Sequence, residues 1–339
     1  MKRFLDEFDL EEFKSRALST YFSGCTICSY DIETTGLFPG NDRIMLTGLL
    51  TVKDGRASAR QFFSESPGDE RSVIEATLNA LKDVDVILTY NGRSFDTPFT
   101  RTRAKHYGIE PVMPYDLDLF TVVSGYSDIK RFTGSLSQKS IEKFMGMTPS
   151  RSDRIDGRES IRLYEQYLSN PSYALEKTIT LHNHDDICQL YRILPVIKQA
   201  DFHRAMFKMG FPAGDYIVRK ISVSRSGLSV TAVRRHDTLD YISFPTEDKP
   251  YSLRSSSVDG NTELDIPGEI VNGDALVIDV KKILGSLGPD PADILEELSH
   301  YPSYGSGYLI LKSNDRITYF ETNIFIRKFF EMLTTSLHG

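Results

Sequence analysis

Cysteine is scarce in this chain. Cys25, Cys28 and Cys188 are three in 339 residues, far below the density of a disulfide framework, and an odd count leaves one unpaired. Cys25 and Cys28 form a single C-x-x-C with no second pair to complete a zinc site, and Cys28 lies in an apolar run, so buried thiols are expected. No stretch approaches the ~18 apolar residues of a membrane span. The opening M-K-R-F-L-D-E-F-D-L-E-E-F carries acids where a signal peptide needs its apolar segment. A cytoplasmic protein without a membrane partner is the expectation. Basic excess is missing too: a formal net charge of −7 argues against a sequence-independent grip on long duplexes. Internal repeats and low-complexity tracts are absent. The composition, 40% hydrophobic and 26% charged, is that of an ordinary globular protein with length enough for two domains.

Against this plain background one stretch stands out. T-I-C-S-Y-D-I-E-T-T-G, residues 26–36, puts Asp31 and Glu33 at the end of a β-branched run. On a strand, residues i and i+2 share a side, so the two carboxylates project together while Ile32 turns into the core. Two like charges at roughly 4 Å and an effective dielectric of about 20 repel by on the order of 4 kcal/mol, which a divalent cation relieves. Further on, Y-N-G-R-S-F-D-T-P-F places Asn91, Phe95 and Asp96 after the apolar run 84–89, where a buried strand should hand over to a helix. H-N-H-D-D-I-C-Q-L then sets His182 and Asp186 four residues apart, on one face of a helix whose other side carries Ile187, Leu190 and Leu194.

The ordered set D-x-E, N-x-x-x-F-D and H-x-x-x-D resembles the DEDD 3′-to-5′ exonucleases of the ribonuclease H-like superfamily, over roughly residues 20–200. The YprB-like branch is most similar, with a third motif H-N-x-x-D and a middle segment like the S-L-x-x-I-E-K-F-M-G found here. The resemblance implies that Asp31, Glu33, Asp96 and Asp186 bind two divalent metal ions, Mg²⁺ or Mn²⁺, hard cations that favour oxygen ligands. Ions about 3.5–4 Å apart activate a water and stabilise the leaving oxygen. Hydrolysis from single-stranded DNA or RNA 3′ ends would release nucleoside 5′-monophosphates. His182 is the implied general base, four residues before its acid, and an unperturbed pKa near 6.5 suits it. Thr34, Thr35 and Leu37 resemble the turn that receives the terminal nucleotide. Asn91 looks like a phosphate contact and Phe95 a stacking residue. Asp116 matches a further acid of the branch and reads as a supporting group or a helix cap; Asp186 is preferred to Asp185 as ligand. A nuclease of this kind needs only a local basic patch, for which Arg93, Arg101, Arg103, Lys105, Lys130 and Arg131 are candidates. A structure-selective endonuclease with the same metals and a non-catalytic nucleic-acid-binding module are the alternatives.

The expected fold is α/β, a ribonuclease H-like mixed β-sheet flanked by helices over 1–200, followed by a smaller β-rich α+β domain over 201–339. Phe4, Leu5, Phe8, Phe13, Ala17 and Leu18 predict an N-terminal helix packed on the first domain. Strands are expected at 26–32, 44–52, 58–63 and 84–89, helices at 70–82, 137–145, 158–168 and 173–198, and a helix from Asp96 to about Tyr107. Residues 115–122 read as a strand or the start of a helix. Beyond 200, the short runs 216–223, 228–233, 239–244 and 275–280 alternate with turn residues. No catalytic motif recurs there, and a recognition or docking module, with a protein or nucleic-acid partner, is the expectation for 201–339.

Overall fold

The computed structural model describes residues 1–147, 155, 157–235, 240–288 and 290–338. The chain divides into two compact units: Met1–Ser15 with Gly24–Asp201, and Arg16–Ser23 with Phe202–Gly339. In chain order, the elements up to residue 192 are β1 (Lys2–Asp9), α1 (Arg16–Phe22), β2 (Ile27–Thr34), β3 (Ile44–Lys53), β4 (Arg56–Phe63), α2 (Glu70–Ala80), β5 (Val86–Thr89), α3 (Asp96–His106), β6 (Tyr115–Asp118), α4 (Leu119–Tyr126), α5 (Lys130–Thr133), α6 (Gln138–Phe144), α7 (Gly157–Ser169) and α8 (Tyr173–Arg192). Six strands form one mixed sheet in the order β1-β4-β3-β2-β5-β6. β2, β5 and β6 run parallel, while β1, β4 and β3 pair antiparallel up to β2.

Both faces of this sheet are covered. One carries Tyr30, Ile32, Leu49 and Phe62 against Val73 and Ile74 of α2 and Phe99 of α3. The other carries Leu46 and Phe63 against Tyr164, Tyr167 and Ile179, and Leu50 and Ala59 against Ile187 and Tyr191, from α7 and α8. The β3–β4 turn holds Asp54 at φ 50° and Gly55 at φ 78°, the left-handed pair that a two-residue hairpin requires.

Residues 2–9 correct the expected N-terminal helix. They form the edge strand β1, paired with β4 from Lys2↔Phe63 to Asp9↔Arg56. Only Arg16–Phe22 is helical, and it belongs to the second unit, where Tyr21 packs on Phe202 and Phe211 and its hydroxyl pairs with His203 Nδ1 at 2.8 Å. Residues four apart share a face on a strand as well as on a helix, so the Phe4–Phe8 spacing does not separate the two.

The second unit has two further antiparallel sheets. One runs, in spatial order, Tyr241–Ser243, Ser252–Ser255, Asn261–Pro267, Gly227–Arg234, Tyr216–Ser224 and Phe211–Ala213; the other is built on Ala275–Asp279 and Tyr308–Ser313. The predicted run 239–244 begins at Leu239, which lies outside the described residues. Arg316–Ile317 pairs with Tyr308–Ser313, and the chain then turns into the closing helix Tyr319–His338. Among the described residues no helix is long and apolar enough to cross a membrane.

Candidate active site

Register places the first two carboxylates. Asp31 lies opposite Gly48 and Glu33 opposite Leu46 on β3, so both project from the face that α8 covers, as the alternation of a strand demands. Gly48 makes the close approach feasible: a Cβ there would sit 2.2 Å from Asn183 Oδ1. Asn183 reaches over the bare backbone and donates from Nδ2 to Asp31 Oδ2 at 2.8 Å, while its Oδ1 accepts from Gln61 Nε2 at 2.8 Å. Gln61 also donates to the Thr180 carbonyl at 2.8 Å. The Gln61–Asn183–Asp31 chain fixes the amide's orientation and the carboxylate's rotamer together.

On α8, His182 and Asp186 share the face expected of an i, i+4 pair. His182 Nε2 lies 3.5 Å from Glu33 Oε1 and 3.5 Å from Asp186 Oδ2, and ligand atoms of these three side chains fall within 4.8 Å of one another. Asp185 is buried but outside this trio. His184 turns elsewhere, to Asp6 at 3.2 Å and the Phe8 ring on β1. Asp96 opens α3, where its Oδ1 accepts from the Ile32 amide at 3.1 Å. That bond brings the third acid beside the D-x-E strand. Asp31 and Asp96 are outside the 4.8 Å trio; the fields of Glu33 and Asp186 reach Asp31, as does that of Asp96.

Those fields are visible in the acidities. Burial, then the carboxylates of Asp96, Asp186 and Glu33, hold Asp31 well above the ordinary carboxylate range despite the Asn183 bond. Burial pushes Asp96 up to about 7, with Asp116 and Asp118 adding to the rise and the Ile32 amide opposing it. Asp116 rises to about 6, again chiefly through burial, against the hydroxyls of Thr89 and Thr97 that donate to it at 2.6 Å each. The cap is Asp118 instead, which accepts from the amides of Phe120 and Asn91. Crowded carboxylates with raised proton affinity, beside an imidazole, suit a hard divalent cation, whose charge would hold them ionised.

The remaining candidates scatter around this centre. Thr34 is buried, its hydroxyl donating to the Gly36 carbonyl at 2.6 Å, and Thr35 Oγ1 accepts from the Arg43 amide at 2.9 Å. The turn they begin is braced: Asp42 accepts from the Phe38 amide, a Cβ on Gly36 would meet Asp42 at 2.4 Å, and Arg103 Nη1 donates to the Pro39 carbonyl. Leu37 and Phe38 stand out from it, each 70% exposed. Asn91 is exposed, at φ 67°, while Phe95 is half-buried against Phe99. Of the proposed basic patch, Arg103 is instead a buried partner of Glu70 at 2.5 Å, and Arg93 donates to the Asp116 carbonyl. Arg131 and Lys105 pair with Asp128 and Glu110.

Asn183, Gln61 and Gly48 were not singled out in the sequence. A signal existed for Gln61, a polar residue on the inward parity set by Ala57, Ala59 and Phe63. Asn183 sits in plain view inside H-N-H-D-D, but its role depends on a glycine far away in sequence.

Residues 28–197, half the chain, match the sequence profile RNase_H_2 of the RNase_H superfamily. The chain belongs to the RNase_H superfamily, and its α/β fold is ribonuclease H-like. Over 75 residues it is 36% identical to the Uncharacterized protein YprB of Bacillus subtilis (strain 168), covering 22% of this chain and 18% of that protein. Over 76 residues it is 34% identical to a DNA polymerase of Methanocaldococcus jannaschii, 21% of this chain and 5% of the polymerase. The family B DNA polymerase of Pyrobaculum calidifontis superposes on 93% of this chain and 46% of its own, with 15% identity and a TM-score of 0.42. The chain thus spans under half of that structure, and the sequence matches cover small parts of the curated relatives.

Proposed function

We propose that the protein is a metal-dependent 3′-to-5′ exonuclease of the DEDD type, releasing nucleoside 5′-monophosphates from single-stranded DNA or RNA. The observation that carries this reading is the convergence of Glu33, His182 and Asp186, with the proton affinity of Asp31 beside them raised by burial and by Asp96, Asp186 and Glu33. Asp31, Glu33, Asp96 and Asp186 would hold two divalent ions, Mg²⁺ or Mn²⁺. When bound, these supply the positive charge that ionises the carboxylates and offsets charge developing on the phosphodiester. His182 Nε2 takes the proton from the attacking water as the new P–O bond forms, and the 3′ oxygen of the penultimate nucleotide leaves with the electron pair of the broken bond. Asn183 keeps Asp31 turned toward the site. Thr34, Thr35 and Leu37 form the turn that would seat the last nucleotide, with Asn91 on phosphate and Phe95 flanking a base.

The test is release of mononucleotides from linear single strands of DNA and RNA with Mg²⁺ or Mn²⁺, beside the Asp31→Ala protein and a circular single strand. Release by the parent alone, with the circle intact, is expected. Cutting of the circle, or activity in Asp31→Ala above a few per cent of the parent, contradicts the reading.

A further inference from the structure

The second unit contains a small cavity of about 120 Å³, walled by the sheet that includes Tyr216–Ser224 and Gly227–Arg234, by Ser286 and Leu287, and by Leu333 and Ser336 of the closing helix. Its lining is mostly apolar, with Leu253, Leu287 and Leu333, and the polar residues set among them are cations and hydroxyls. Arg234 and Lys249 contribute two positive charges, Tyr216, Tyr241, Tyr251, Ser255 and Thr262 contribute hydroxyls, and no carboxylate is among the described lining residues.

Arg234 is the informative member. Its side chain is 5% exposed, and a guanidinium stays charged at any working pH. Its nearest counter-ion, Asp215 Oδ2, is 3.9 Å from Nη2, the outer limit of an ion pair, and Nε has no hydrogen-bond acceptor among the described residues. Buried charged donors are normally saturated, because each bond lost to water must be replaced. Lys249, in the same lining, bonds the Tyr241 hydroxyl through Nζ at 2.8 Å and lies 5.2 and 5.3 Å from the Tyr241 and Tyr251 ring centres. A half-buried ammonium and a buried guanidinium thus line one enclosure.

We propose that this cavity is a phosphate-binding site, occupied by a phosphate monoester or inorganic phosphate held between Arg234 and Lys249. A planar guanidinium matches two phosphate oxygens, an ammonium a third, and the hydroxyls complete the shell. The volume is well below the about 300–1,000 Å³ of pockets for drug-sized ligands, so only the phosphate and the atoms next to it are enclosed. The site lies wholly within the second unit, and its occupancy does not depend on the nuclease reading.

Calorimetric titration of the Asp31→Ala protein in EDTA tests it without turnover or metal. Inorganic phosphate is compared with chloride at equal ionic strength, thymidine 5′-monophosphate with thymidine, and a 5′-phosphorylated oligonucleotide with its 5′-hydroxyl twin. Saturable binding of the phosphorylated member of a pair is expected, weakened about tenfold or more by Lys249→Ala and by Arg234→Gln, the usual worth of a bond to a charged group. Preference for the phosphorylated oligonucleotide assigns the site to strand ends; binding of only the small ligands assigns it to free nucleotide or phosphate. Both support the site. Should Arg234→Gln fail to fold, Lys249→Ala, at a half-buried position, decides. No binding in any arm, or binding unchanged in Lys249→Ala, overturns the proposal.

Discussion

Asn183 connects the D-x-E strand to α8, and its removal is the sharpest test of how the site is held. Groups that orient ligands typically cost 10–100-fold in metal affinity or activity when lost, and Asn183→Ala is expected to fall in that range, measured as turnover against metal concentration. Gly48→Ala should reproduce the loss, because the added Cβ would sit 2.2 Å from Asn183 Oδ1 and displace that side chain; full activity in Gly48→Ala would contradict the arrangement. For His182→Ala, a rate loss of roughly 10²–10⁴ is expected from a general base, and a loss under about threefold would demote it. The acids make a further prediction about pH. Asp31, Asp96 and Asp116 have folded-state pKa values above those of the unfolded chain. The stability they contribute is fully present below about pH 4 and is lost as pH rises through about 6 for Asp116 and about 7 for Asp96. Each proton released is worth up to ~1.4 kcal/mol per pH unit. Urea unfolding in EDTA should therefore show a greater loss from pH 5 to 8 in the parent than in Asp96→Asn, and Mg²⁺ should restore part of it at pH 8; equal pH dependence in the two proteins would refute the assignment.

Elements differ in how plainly the sequence announces them. The D-x-E strand is readable because a β-branched run ending in two acids of one parity has little else to become, and the helix carrying His182 and Asp186 because its apolar side keeps helical spacing through Ile187 and Leu190. β1 is not, since Phe4 and Phe8 satisfy both periods, and its pairing with β4 is decided by long-range partners. Nor could spacing show that Arg103 is buried. It closes on Glu70, which also accepts from the Ile44 amide and the Tyr107 hydroxyl, and it holds Pro39 in the turn that presents Leu37. Breaking a buried ion pair by removing one partner costs about 3–5 kcal/mol, and Arg103→Met should lose about that much in urea unfolding. A loss below ~1 kcal/mol would mean that Glu70 is solvated. Asn183 eluded the sequence for a related reason, since its value lies in an absent side chain on β3.

At the scale of the whole molecule, a superfamily fold assembles three distant motifs at one end of a mixed sheet, and a second unit adds a cavity of its own, whose described lining includes two cations. The motif order was legible along the chain; which unit the N-terminal helix joins was not, because that depends on aromatic partners beginning at Phe202. The central claim concerns the direction of attack. The most direct measurement is a time course with Mn²⁺ on a single strand labelled at its 5′ end, resolved to single nucleotides. The account predicts a ladder that shortens stepwise from the 3′ end while the label stays on the longest surviving fragments. Release of the label as a mononucleotide at the first time points would contradict it.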